Sequence, residues 1–272
     1  MDQRRDFFGI DVTMTQSKDT TGSSEQRRDA RVSETEESGS VERGRTGGAG
    51  RAPVADAPRI VDRAPSESSR SDPLAEAAEL ARNGDLQEAA TAYRTYLTRH
   101  PEDVPGRRGL AAVLEQKGDF IGALGELGRA IDAQPDDVSL LCARAAVQMA
   151  LQRYDQAEAD LRRASKLDAD SAEVLFNFGV LFCKRARWRE AILPLQRAVE
   201  LDPSSSQAHY YLGEAYNQTD QLKPALASYE ETVKLQPTNY RALKGVGIVL
   251  DKLGRPAEAT AAYQRARDAQ RR

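Results

Sequence analysis

Residues 207–239 read QAHYYLGEAYNQTDQLKPALASYEETVKLQPTN, and most of their key positions recur along the chain at a fixed interval. Ala225 belongs to a column of alanines 34 residues apart: Ala89, Ala123, Ala157, Ala191, Ala225 and Ala259. Twelve positions upstream of each stands another small residue: Ala77, Ala111, Ala145, Gly179, Gly213 and Gly247. Four positions downstream comes Tyr93, Leu127, Leu161, Leu195, Tyr229 or Tyr263. A fourth column holds Pro101, Pro135, Ala169, Pro203 and Pro237. One such column in an alanine-rich chain could be accidental, but four in phase define a period. Self-similarity at this period is the signature of stacked helix–turn–helix units, each burying its open face against the next.

The punctuation between columns is helical. Asp72-Pro73 supplies a capping side chain followed by proline at the first helical position. The first A helix then runs as LAEAAELAR and stops at Asn83-Gly84. Gly118 and Gly254 share the column of Gly84, where a helix ending in a left-handed residue favours glycine. Pro224 and Pro256 fall in the first turn of B helices, where a missing N–H is harmless, whereas Pro194 lies further in and predicts a slight bend. The small residue on each A helix is expected to face the alanine on its B helix, so that the two axes approach closely. The repeats so defined are 70–103, 104–137, 138–171, 172–205, 206–239 and 240–272.

These residues resemble the tetratricopeptide repeat (TPR) family. The stretch at 207–239 matches its pattern closely, and LFNFGVLFCKRARWREAI and LKGVGIVLDKLGRPAEA match well. The resemblance covers about three quarters of the chain. It implies an all-α fold, a right-handed α-solenoid with the A helices lining a concave groove. The third repeat departs most, because Arg144 and Gln148 stand in columns where the family packs apolar residues. Either that helix turns to bury Leu140, Leu141, Val147 and Leu151, or Arg144 reaches out to solvent. In the first repeat the same column holds Glu76, as suits a terminal unit facing water, and the last helix, EATAAYQRARDAQRR, is polar enough to close the array.

Residues 1–69 differ in kind. Residues 1–70 carry 12 basic and 13 acidic side chains, with Phe7 and Phe8 as their only aromatics. Such a polyampholyte buries too little apolar surface to offset its ordering entropy, so a disordered tail is expected. One island, FFGID at 7–11, reads either as an unremarkable extension, since Met14 could equally begin the chain, or as a short docking motif.

The whole chain balances 39 basic against 42 acidic residues, which argues against a protein built to coat phosphate backbones. Two cysteines make no disulfide framework and fit a reducing compartment. No run of about 18 apolar residues occurs, and the N-terminus lacks the apolar stretch of a secretory signal. A soluble, cytoplasmic protein without membrane insertion is the expectation.

Catalytic chemistry finds little to work with. His100 precedes Pro101 in a loop, and His209 occupies a packing column of an A helix. Cys183 lies eight positions further along its helix than His209 along the neighbouring one, an offset of roughly 12 Å that no nucleophile–base pair spans. No group shows metal-ligand spacing, and GRTGGAG at 44–50 lacks the lysine and strand of a phosphate loop. No catalytic site, metal or cofactor is expected.

The resemblance places the partner site on the A helices. Its middle would hold Cys142, Ala146, Met149, Phe176, Val180, Cys183 and Tyr210, an apolar floor suited to an apolar peptide or helix of a partner protein. Asn177 could pair with an extended peptide. Towards the C-terminus the groove turns polar, with Glu214, Asn217, Lys244 and Asp251 around Ile248, while Arg108 and Glu115 mark the other end. The Lys/Asn/Arg clamp by which one subgroup grips chaperone tails has no counterpart: beside Asn177, its places hold Cys142, Ala146, Gln207 and Tyr211. Three functions compete: an adaptor that binds a protein segment in its groove, an autoinhibited module whose FFGI motif fills that groove, and a nucleic-acid-binding helical repeat.

Overall fold

A computed structural model describes residues 72–271. The tail, its FFGID island and Arg272 therefore lie outside the described residues. Within them the chain forms twelve α-helices and no strand. The A helices are α1 (Pro73–Asn83), α3 (Val104–Gln116), α5 (Val138–Ala150), α7 (Ala172–Lys184), α9 (Ser206–Gln218) and α11 (Tyr240–Lys252). The B helices are α2 (Leu86–Arg99), α4 (Phe120–Ala133), α6 (Tyr154–Leu167), α8 (Trp188–Leu201), α10 (Leu222–Leu235) and α12 (Pro256–Gln270). Each helix packs on the next along the chain, which makes an α-solenoid.

The helix boundaries have local causes. Every A helix starts on a side-chain cap: Asp72, Asp103, Asp137, Ser171, Ser205 and Asn239 each accept a backbone N–H of the first turn. Every A helix ends in the same turn, whose last N–H reaches back five residues, as in Arg187 N–H to the Phe182 carbonyl at 2.8 Å. The residue at its apex takes a left-handed backbone. It is glycine at Gly84, Gly118 and Gly254, but Gln152 (φ 59°), Ala186 (φ 57°) and Asp220 (φ 62°) adopt the same conformation without glycine's freedom. Pro194 sits inside α8, which continues through it as one helix.

The repeat columns form the core. All six alanines of the first column have no exposed surface, and Leu161, Leu195 and Tyr229 are equally enclosed. The glycines also lie against the larger residue of the third column. A Cβ on Gly179 would lie 2.3 Å from Leu195, one on Gly213 2.8 Å from Tyr229, and one on Gly247 2.5 Å from Tyr263. The missing side chain thus makes room for the larger residue one turn beyond the alanine. Tyr93 and Tyr229 need a second recess, on the next A helix: Cβ atoms on Gly109 and Gly245 would approach their rings to 2.5 and 2.7 Å.

In the third repeat the first of the two alternatives holds for three of its four residues, Leu151 being only half-buried at the end of α5, and Arg144 does not simply reach out to solvent. Leu140, Leu141 and Val147 are buried, and Arg144 turns to α6 instead of to solvent alone, gripping Asp160 with Nε at 2.8 Å and Nη2 at 2.7 Å. Gln148 is buried, with its carbonyl oxygen lacking a hydrogen-bond partner. At the ends of the array, Glu76 of α1 and much of α12 are exposed to water.

Candidate functional site: the A-helix face

Contacts between alternate helices show which face is the inner one. The A helices touch each other across repeats, α1 with α3, α5 with α7, α7 with α9 and α9 with α11, while no contact of that extent joins two B helices. Helices that crowd one another lie on the shorter radius of a stack, so the A helices line the concave side.

The sequence-derived residues separate into two layers on that side. Cys142, Met149, Asn177, Val180, Cys183 and Asn217 are buried, beneath or between the A helices. Ala146, Phe176, Tyr210, Glu214 and Ile248 are half-buried, and Lys244 and Asp251 are exposed. At the N-terminal end Arg108 is exposed and Glu115 half-buried, with burial raising the Glu115 carboxyl above its usual range.

Several polar members are already engaged. Asn177 donates from Nδ2 to the Glu173 carbonyl at 2.9 Å, one turn back on its own helix. Glu214 accepts the Tyr229 hydroxyl at 2.5 Å, and Asp251 accepts that of Tyr263 at 2.8 Å. Asn217 accepts Lys252 Nζ at 2.9 Å. Tyrosines of the B helices thus reach through the hairpin to hold acidic residues of the A helices in place.

The middle of the face is aromatic. Phe176 meets Tyr211 edge-on with ring centroids 6.0 Å apart, Tyr211 meets Tyr210 at 5.5 Å, and Tyr210 meets Tyr229 at 6.0 Å. Such spacings are those of favourable aromatic pairs. Two cations border the cluster, Lys184 from α7 and Arg241 from α11. Burial lowers the Lys184 ammonium below its usual range and the Arg241 charge lowers it further, while Arg241 also acts on Tyr210 and Tyr211. Sequence reasoning singled out Phe176 and Tyr210 but passed over Tyr211, Lys184 and Arg241. The column 16 residues beyond the Tyr/Leu column, Gly109, Ala143, Asn177, Tyr211 and Gly245, carried a usable signal. Its glycines stand where the preceding B helix bears tyrosine, and its one aromatic where that helix bears leucine.

Neither cysteine is poised as a nucleophile. Both thiols are free and buried; burial, then the nearby Glu214 charge, pushes Cys183 up to about 12, and burial first of all raises Cys142 as well. His209 places its Nε2 3.1 Å from the Pro203 carbonyl, and His100 stacks on Tyr96 with centroids 4.6 Å apart. Glu173 keeps solvent contact, yet burial of its carboxyl and the neighbouring Asp137 charge push it up to about 7. No cluster of three potential metal ligands occurs among the described residues, and no helix there is long and apolar enough to cross a membrane.

Tetratricopeptide repeat models match residues 74–138, 138–171 and 220–271, and a TPR repeat model matches 179–220. The chain belongs to the tetratricopeptide repeat family. No curated protein sequence matches it. Among solved structures, this TPR chain is similar to MamA at 26% identity with a TM-score of 0.51, over 60% of this chain and 95% of that one. A TPR protein from Parabacteroides merdae shares the fold at 17% identity and TM-score 0.60, over 75% of this chain and 81% of that one. A chain of the APC/C hetero-tetramer Cut9–Hcn1 does so at 17% identity and TM-score 0.68, covering 72% of this chain and 39% of its own length. The repeats and these neighbours point to a protein-interaction scaffold.

Proposed function

We propose that this protein is a non-enzymatic adaptor that holds an apolar-leaning peptide or helical segment of a partner protein against its A-helix face. The observation that carries this reading is the aromatic cluster Phe176–Tyr211–Tyr210, half-buried and continuous on the concave side. Rings that keep part of their surface in water offer large apolar area at small entropic cost, and few such anchors dominate the energy of most interfaces. Tyr229 and Glu214 brace Tyr210 from behind, so the floor is organised before a partner arrives.

Phe176 and Tyr210 are the anchors. The test is selection of a displayed random-peptide library on the full chain, followed by binding of the selected peptides to the Phe176→Ala/Tyr210→Ala double variant. Loss of about 2–4 kcal/mol of binding energy, the size of a hot-spot pair, is expected. Undiminished binding to a variant with the same helical content would refute the assignment.

A further inference from the structure

Five junctions join the six repeats, and the second stands apart. At the other four the neighbouring A helices touch, but α3 and α5 do not meet to that extent. The fourth junction shows how such a seam is closed: Gln196 of α8 donates from Nε2 to the Tyr216 hydroxyl of α9 at 2.7 Å. Two repeats earlier the same two columns hold Gly128 of α4 and Gln148 of α5. A Cβ on Gly128 would find no heavy atom within 4 Å, so the place of the Gln196 side chain is open. Gln148 is only 7% exposed, and its carbonyl oxygen has no hydrogen-bond partner.

The seam around this gap is polar. In the columns of Arg144 and Gln148, repeats 2, 4, 5 and 6 carry Leu110 and Leu114, Phe178 and Phe182, Leu212 and Tyr216, and Val246 and Leu250. Arg144 directs its guanidinium to Asp160 of its own repeat. Polar bridges also tie the other junctions. Lys117 reaches Gln87 across the first, Arg185 reaches Glu158 at 3.0 Å across the third, and Lys252 reaches Asn217 at 2.9 Å across the fifth. Across the second stand Arg163 and Asp136, well exposed and 3.4 Å apart, and such a pair contributes little. Finally, α4 is the one B helix that contains glycine, at Gly122, Gly125 and Gly128, and interior glycines weaken a helix.

We infer that the junction of repeats 2 and 3 is a hinge, about which residues 72–133 turn as one arm against residues 138–271. The closed seam leaves a buried acceptor unpaired, whereas opening lets water reach Gln148. Closed and open arrangements therefore lie nearer in free energy here than at junctions sealed by apolar columns. Turning moves repeats 1 and 2 relative to the aromatic floor on α7 and α9. The hinge belongs to the array itself and does not depend on what the groove binds.

Double electron–electron resonance on the full chain, without ligand, measures it. Spin labels are attached through p-acetylphenylalanine, which leaves Cys142 and Cys183 untouched. One pair replaces Thr91 and Leu193 and spans the second junction; the other replaces Ala159 and Ala261, also 102 residues apart, and does not. All four positions are exposed. The distance distribution of the first pair should be at least twice as broad as that of the second. Gln148→Leu, which supplies the residue found at Leu114 and Leu250, should narrow it towards the second pair's width. So should Gly128→Gln/Gln148→Tyr, which rebuilds the pair made by Gln196 and Tyr216. Equal widths in the unaltered array, or a first-pair width that neither variant narrows, would overturn the hinge. Peptide binding plays no part in these distances, so the hinge and the groove assignment fail separately.

Discussion

Gly213→Leu isolates the packing principle of the array. The first side-chain atom would already lie 2.8 Å from the Tyr229 ring, against the roughly 3.5–4.0 Å that carbon atoms prefer. The ring cannot retreat, because its surface is wholly buried, Gly245 of the next A helix lies on it, and its hydroxyl is bonded to Glu214 at 2.5 Å. Overpacking at such a site costs about 3 kcal/mol, and leucine's better helix propensity returns about 0.8. The net loss of about 2 kcal/mol lowers the melting temperature by roughly 4–8 °C for a chain of this size. Amide exchange should rise first in α9, α10 and α11, since Tyr229 joins two repeats. The control is Gly125→Leu in α4, an exposed helical glycine with no heavy atom within 4 Å of its would-be Cβ. There the same substitution should stabilise by about 0.5–0.8 kcal/mol. Differential scanning calorimetry of both variants decides the matter; shifts of the same sign would refute the packing assigned to Tyr229.

Ala186→Gly should stabilise by about 0.5–1 kcal/mol, because it removes a left-handed alanine at φ 57° from a turn that Gly118 makes without strain at φ 79°. Chemical denaturation would show it as a higher midpoint, and an unchanged or lower one would rule the strain out. Asp160→Ala leaves the Arg144 guanidinium without its two-pronged partner; with a quarter of the arginine side chain still in water, the expected loss is about 1–3 kcal/mol. Adding Arg144→Met should restore most of it, and a double variant as unstable as the single one would contradict the pairing.

Much of the fold was legible in the chain because a repeat states its packing rule several times. Ala225 and Tyr229 alone say little, but in phase with five other alanines and five other large residues they specify which face of each B helix is inside. Sequence reasoning named only the Asp72 cap; the structure shows that Asp103, Asp137, Ser171, Ser205 and Asn239, at the same 34-residue interval, cap each later A helix. The partner of the glycines was harder to read. Sequence spacing set Gly213 opposite Ala225 but did not show that the ring of Tyr229, reaching back along α10, lies against the same glycine.

The candidate site was legible only as a set of positions. Periodicity put Cys142, Phe176, Cys183 and Tyr210 on one side of the array but could not rank their exposure, which depends on how closely successive A helices crowd together. That crowding buries both cysteines while leaving Phe176 and Tyr210 half in water. It also gathers Tyr211, Lys184 and Arg241, from three different helices, around the same spot, a convergence that no spacing along a single helix encodes. Local signals such as caps, turns and buried columns act over one or two helical turns and can be read from neighbouring residues. The surface offered to a partner is set by the distances between helices from separate repeats, and those arise only once the stack has formed.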